Sequence, residues 1–146
     1  MPAQKSVADR GDPNYFIVKF NDRDARNFVI RDISTGSKMN WTFAHPEMQF
    51  PVEPHPNLRF VMHLWMSGNT LKQTGPVTIR VQINGRPVGE IHCSQDIEYW
   101  FDKPVPQEWL RSGEPVRVLA EADRLWTSPR DGAHLGYLIE QAGFRW

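Results

Sequence analysis

The 146-residue sequence contains one cysteine, no excess of either charge and no long hydrophobic run. Cys93 alone cannot form an intramolecular disulfide or a cysteine-based zinc cluster, and a single thiol is typical of a reducing compartment. Lys and Arg together number 17, as do Asp and Glu, so the formal net charge is zero. Proteins that bind nucleic acid or anionic membranes usually carry a basic excess. We therefore expect no nucleic-acid partner and no membrane partner.

Segments for targeting or for membrane insertion are also missing from the pattern. The longest apolar run, residues 60–66, is far shorter than the roughly 20 residues that cross a bilayer. Residues 1–12 contain no apolar core of the kind that a signal peptide has. The sequence thus predicts a cytoplasmic protein, with a polar, flexible N-terminal segment at residues 1–13 and one domain at residues 14–146.

Helical periodicity is lacking, and short stretches with the two-residue alternation of β-strands take its place. The alternation is clearest at residues 77–83, which run into Asn84-Gly85, the sequence typical of a type I′ hairpin turn. Residues 58–66 also place every second apolar side chain on one face, and residues 116–122 repeat the pattern. Many short strands separated by turn residues indicate a β-sandwich or a barrel.

Proline and glycine define the exceptions to this alternation. Four prolines in residues 45–56 exclude a central strand for most of that segment and leave room for a short edge strand at 48–52. Pro106 and Gly113 enclose a segment with the features of a short helix. The prediction is an all-β, single-domain antiparallel β-sandwich (a jelly roll) with one short helical turn near 106–112.

Residues 75–144 carry a recognisable order of motifs. These are VQINGRPVG at 81–89, a Val-Pro corner at 105–106, Trp109-Leu110 with Gly113, Trp126, Asp131, Leu135-Gly136 and the ending Ala142-Gly143-Phe144. With this order the stretch resembles a jelly-roll module found beside glycoside hydrolases, glycosyltransferases and sugar-modifying methyltransferases. The resemblance implies a galactose-binding-like β-sandwich that is usually non-catalytic. Such modules often carry Arg two residues after the Asp, where this chain has Ala133.

Sugar recognition needs a flat aromatic ring for the apolar face of a pyranose, and planar polar groups for its hydroxyls. Residues 122–135 form a long polar segment, which we interpret as a loop of the kind that often carries function. The candidate ligand-binding residues are Trp65, Trp100, Asp123, Arg124, Trp126, Arg130, Asp131 and His134. In the alternative interpretation, Trp65 and Trp100 are half-buried sheet residues and the charged groups make local hydrogen bonds within the loop.

Signs of catalytic or metal chemistry are few. The histidines are His45, His55, His63, His92 and His134, and no His-x-His pair exists, so we predict no metal and no cofactor. Cys93 directly follows His92, which places the two side chains on opposite faces of a strand. Glu98 and Asp102 share a face but lie about 13 Å apart along it, which exceeds the roughly 5–9.5 Å of glycosidase carboxylates.

Three function classes therefore remain open. The first is a non-catalytic module that binds a carbohydrate or polyol through a tryptophan and the segment 122–135. The second is a structural or interaction protein, either a homo-oligomer or docked on a partner protein, since Trp and Met are enriched in interface cores. The third, a small metal-dependent jelly-roll enzyme, has the least support because the histidine spacing does not match.

Overall fold

The computed structural model describes residues 14–146, so the segment predicted to be flexible, residues 1–13, lies outside the described residues. The strands in this range are β1 (Tyr15–Lys19), β2 (Val29–Ile33), β3 (Thr42–Phe50), β4 (Arg59–Trp65), β5 (Val77–Ile83), β6 (Arg86–Cys93), β7 (Glu98–Pro104), β8 (Val116–Ala122), β9 (Trp126–Thr127), β10 (His134–Leu135) and β11 (Leu138–Arg145). The helical segments are the 3-10 helices Arg23–Phe28 and Gln107–Trp109 and the α-helix α1 (Gly68–Thr74).

Two antiparallel sheets form the domain. One has four strands in the order β1-β11-β4-β7, and the other has five strands in the order β2-β3-β8-β5-β6. Strands β9 and β10 pair only with each other within the described range. The predicted antiparallel β-sandwich is confirmed, and the structure adds α1 and the first 3-10 helix to the predicted helical turn.

The hydrophobic core lies between the two sheets. Phe60, Met62 and Leu64 of β4 are fully buried, as their alternation predicts. Phe50 of β3 and Phe144 of β11 meet edge to face across the core, with ring centroids 5.5 Å apart. Most apolar side chains of the strands point to the side between the sheets, so each sheet also has an outer face.

The β5–β6 hairpin follows the local sequence closely. Asn84 and Gly85 have φ angles of 50° and 82°, the two positive values that a type I′ turn requires. The side-chain oxygen of Asn84 also accepts the backbone N–H of Arg117 at 2.9 Å, which ties the turn to β8. The hairpin prediction is confirmed.

The expectation for the proline-rich segment is wrong in one respect. β3 lies between β2 and β8, so it is an interior strand and not an edge strand. Pro46 is accommodated because pairing with β8 begins only at Glu47, and pairing with β2 is irregular between Arg31 and Ile33. A missing backbone donor therefore costs no ladder hydrogen bond there.

Two short helical segments, α1 and the 3-10 helix Gln107–Trp109, differ in how well their ends follow the cap residues of the sequence. Ser67 caps α1 by accepting the backbone N–H of Asn69 at 3.2 Å, and Gly75 ends the helix with a φ of 77°. The predicted turn near 106–112 is the 3-10 helix Gln107–Trp109. Gly113 is not its cap but belongs to the next turn, in which Glu114 donates to the carbonyl of Arg111.

Candidate functional site

An opening with an aromatic wall lies where the β9–β10 hairpin packs against the start of β3, and we call it the end cleft. It encloses about 610 Å³. Trp41 and Trp126 form an apolar wall, and Asn69, Arg130 and Asp131 contribute polar groups. Within residues 14–146, the cleft thus combines aromatic rings with amide, guanidinium and carboxylate groups.

The β9–β10 hairpin replaces the long loop expected over residues 122–135. Trp126 pairs with Leu135, and Thr127 pairs with His134. Between the strands, Ser128 donates to the carbonyl of Ala133, and Gly132 donates back to the carbonyl of Ser128, each at 2.8 Å. These bonds hold the polar tip of the hairpin in one conformation beside the cleft.

The aromatic wall joins residues that are far apart along the chain. The rings of Trp41 and Trp126 lie 5.8 Å apart between centroids and are tilted by 35°. The backbone N–H of Trp41 donates to Ser34 Oγ at 3.0 Å, and Trp41 forms a β-bridge with Leu138. Because both rings are half-buried and held on several sides, the wall is preorganised for a flat apolar partner.

Asp131 has a structural as well as a lining role. Its Oδ1 accepts the backbone N–H of Ala133 at 3.0 Å, which shapes the hairpin tip. Ala133, the departure from the module pattern, also lines the cleft. Asp131 therefore holds the conformation of the hairpin tip through the backbone of Ala133.

Three of the predicted residues lie around the cleft without lining it. Asp123 accepts the backbone N–H of Thr78 at 2.9 Å, and Arg124 donates to the carbonyl of Thr74 at 2.7 Å. These bonds attach the segment before β9 to β5 and to the end of α1. His134 is exposed, with Nδ1 3.2 Å from Thr127 Oγ1.

Trp65 and Trp100 lie on the outer face of the four-stranded sheet. They are exposed by 38% and 60%, respectively. The indole N–H of Trp65 donates to Asp96 Oδ1 at 2.6 Å, and that of Trp100 donates to Glu98 Oε1 at 3.1 Å. The Trp100 ring also stacks on His63, with centroids 3.9 Å apart and planes 4° from parallel. We call the outer surface formed by these residues the aromatic face.

Trp41, Asn69 and His63 are not among the ligand contacts predicted from the sequence. Trp41 belongs to the wall only because β3 passes beside the distant β9–β10 hairpin. Asn69 lines the cleft because α1 begins immediately after β4. A local signal for α1 does exist: Ser67 and Gly75 enclose it as cap residues.

The histidines and the cysteine are dispersed over the described part of the chain. His63 lies on the aromatic face, and His92 lies on the outer side of β6 in the other sheet, beside Thr78. Cys93 is buried, and burial raises the pKa of its thiol to about 12. Residues 14–146 contain no group of three or more His, Cys, Asp or Glu side chains placed to hold a metal ion. Over the same range, no helix combines the length and apolarity that crossing a membrane would demand.

Comparison with family models and with curated proteins finds no match. Among solved structures, the chain is similar to part of an exo-beta-1,3-galactanase from Phanerochaete chrysosporium determined with galactose. The TM-score is 0.51 at 8% identity, over 89% of this chain and 29% of the galactanase.

Two further similar structures have lower scores. An acetyl xylan esterase from Butyrivibrio proteoclasticus has a TM-score of 0.48 at 12% identity, over 89% of this chain and 32% of the esterase. The CBM51-2 and INT domains of ZmpB from Clostridium perfringens, in complex with GlcNAc, have a TM-score of 0.45 at 14% identity, over 88% of this chain and 27% of theirs.

The chain spans about a third or less of the length of these three structures. At such low identity the similarity concerns the fold. The similarity to the galactanase is consistent with the β-sandwich fold that the motif resemblance predicted and that the two sheets show.

Proposed function

We propose that the protein is a non-catalytic module that binds carbohydrate in the end cleft. The observation that carries the proposal is the tilted pair Trp41 and Trp126 beside the polar groups of Asn69, Arg130 and Asp131. An indole ring covers the apolar C–H face of a pyranose, while amide, guanidinium and carboxylate groups bridge its hydroxyls. The cleft presents both kinds of group on one wall and its rim.

The size of the cleft suits a sugar. Its volume of about 610 Å³ lies within the range of ~300–1,000 Å³ that is usual for small-molecule sites. The cleft is also open to solvent along the exposed residues Asn69 and Arg130. A sugar that is linked to further sugars could therefore enter without burying its linkage.

The chemistry of the lining favours binding over hydrolysis. Among the cleft-lining residues, all within the described range, Asp131 carries the only carboxyl group. Glycoside hydrolysis ordinarily requires two carboxyl groups about 5–9.5 Å apart. One carboxylate, already accepting a backbone hydrogen bond, can hold a hydroxyl but cannot supply both an acid and a base.

Isothermal titration with galactose, N-acetylglucosamine, glucose, xylose and their disaccharides tests the proposal. We expect saturable binding of at least one of them, and Trp126→Ala should weaken it about tenfold through loss of the stacking ring. Trp109→Ala is the matched control: Trp109 is also half-buried, and it packs near Arg86, away from the cleft. That variant should bind as the unaltered chain does.

Two results would contradict the proposal. One is the absence of saturable binding for every sugar up to about 10 mM, a concentration at which even weak single-sugar sites are occupied. The other is unchanged affinity in a folded Trp126→Ala variant. Circular dichroism of each variant distinguishes lost binding from lost structure.

A further inference from the structure

We infer that the sugar site continues from the end cleft onto the aromatic face, so that the ligand is a chain of linked neutral sugars. This inference depends on the proposed function and extends it. Trp65 and Trp100 would then form a second binding area that receives the sugars next to the one in the cleft.

Strand pairing places the aromatic wall of the cleft and Trp65 on the same side of the sheet. Leu138 is the partner of Trp41 on one side and of Trp65 on the other. Directly paired residues of antiparallel strands project to the same side of a sheet. The cleft wall and Trp65 therefore share the outer face, with Trp41 and Trp65 separated by two strand spacings, about 10 Å.

The row of indole rings extends from Trp65 to Trp100. Trp65 pairs with Glu98, and Trp100 lies two residues further along β7, on the same side of the strand. Such diagonal neighbours are about 7–8 Å apart, within reach of large aromatic side chains. Indole rings thus follow one another from the cleft wall through Trp65 to Trp100.

Contacts within the protein fix the orientation of the Trp100 ring. One face of the indole is covered by His63 at 3.9 Å, while 60% of the residue is exposed. The N–H group is held by Glu98. The ring is therefore fixed in orientation with its second face open to solvent, and a fixed ring loses little entropy when it stacks on a ligand.

The side chains around the two indoles bear on the charge of the ligand. The side chains that hold the two indoles are Asp96 and Glu98, both exposed carboxylates. A carboxylate has about four acceptor positions, so each can accept sugar hydroxyls in addition to an indole N–H. The arginines of the same face, Arg59 and Arg145, are paired with Asp102. The carboxylates nearest the indoles would therefore repel a uronic acid, and this favours neutral sugars.

The test measures affinity against chain length for the unaltered protein, Trp100→Ala and the control Trp109→Ala. The probes are galactose and its β-1,3-linked di-, tri- and tetrasaccharides, and glucose with its β-1,4-linked series. For the unaltered protein and the control, we expect affinity to rise about tenfold from monosaccharide to trisaccharide in the series that binds. Trp100→Ala should remove this increase and leave monosaccharide affinity unchanged, and Trp100→Phe should restore part of it.

The outcomes separate this inference from the proposed function. If no sugar of the wider panel or of either series binds, both fail. If a monosaccharide binds but affinity does not rise with length, or if Trp100→Ala keeps the rise, the aromatic face is not part of the site and the cleft proposal stands. If light scattering shows a dimer that Trp100→Ala converts to a monomer, the face is covered by a second copy and the inference is overturned.

Discussion

The outer faces of the two sheets use their side chains in different ways. On the five-stranded sheet, charged groups are paired with one another: Glu47 lies between Arg31 and Arg117, with N···O distances of 2.8 and 3.0 Å. Arg80 and Glu90 pair at 3.1 Å on the same face. Side chains that satisfy each other in this way leave few groups free for a ligand.

The aromatic face exposes apolar surface to solvent. Trp100 and Trp65 remain substantially exposed although both lie in paired strands. Exposing large apolar side chains to water is unfavourable, and contiguous aromatic surface usually marks an interaction site. Ion pairs occur on both outer faces, since Asp102 pairs with Arg59 and Arg145 on the four-stranded sheet. The two faces differ in the exposed indole rings of Trp65 and Trp100, which the aromatic face alone carries among the described tryptophans of the two sheets.

Substitutions in the core should lower the free energy of unfolding the most, and by similar amounts in the two sheets. Leu64 in β4 and Ile79 in β5 are both fully buried on inner faces. Leu64→Ala and Ile79→Ala should each lower the free energy of unfolding by about 2–5 kcal/mol, since each leaves a cavity in the core. Urea denaturation measures both. A small loss in only one of them would mean that the sheets do not share one core.

A smaller effect should distinguish the outer faces. Glu47→Gln keeps the side-chain shape but removes the charge between two arginines, and we expect a loss of about 1 kcal/mol. Trp100→Ala should change the unfolding free energy by less than about 0.5 kcal/mol, as is usual for an exposed residue. Urea denaturation of both variants gives the ranking. A larger loss for Trp100→Ala would show that its ring is mainly structural.

The smallest expected effect concerns acid stability at the other end of the aromatic face. Burial alone would raise the pKa of Asp102, but hydrogen bonds from Arg145 and Arg59 outweigh it and hold that pKa below its ordinary value of 3.8. This stabilisation is present above about pH 4 and is lost as the pH falls through the folded-state pKa.

Replacing Asp102 by Asn should therefore lower stability slightly at neutral pH, by less than about 1 kcal/mol because the groups are exposed. The difference from the unaltered protein should shrink as the pH falls below about 4 and disappear once the pH is below the folded-state pKa of Asp102. Thermal unfolding across this pH range, at low and high salt, measures it. A difference that persists undiminished at low pH would assign the effect of Asp102 to packing instead of charge.

The elements that sequence reasoning located well have local causes. The alternation in β4 and β5 and the Asn84-Gly85 turn depend on neighbouring residues, so the strands and the hairpin could be placed directly. β3 was misjudged because proline penalties depend on which backbone groups are paired, and the irregular pairing at Pro46 is a property of the assembled sheet. The segment 122–135 contains few residues with strand preference, and its hairpin is supported from outside by Gln73, which bonds Thr127.

The candidate site was predictable in kind but not in arrangement. Trp126, Arg130 and Asp131 were selected by residue type and line the cleft, whereas Asp123 and Arg124 were selected by the same reasoning and bond to neighbouring backbone. Residue type indicates what a side chain can bind. It does not indicate whether a backbone group of another segment already occupies that side chain.

The all-β class, the hairpin, the core side of β4 and the place of Trp65 opposite that side follow from the sequence, because strand period and turn geometry act over a few residues. Only the tertiary structure decided that Trp41 meets Trp126 and that Trp65 and Trp100 remain uncovered. Burial on the outer face of a strand depends on whether a distant segment packs over it. In this protein the β9–β10 hairpin packs beside Trp41, while Trp100 is left exposed at the edge strand β7.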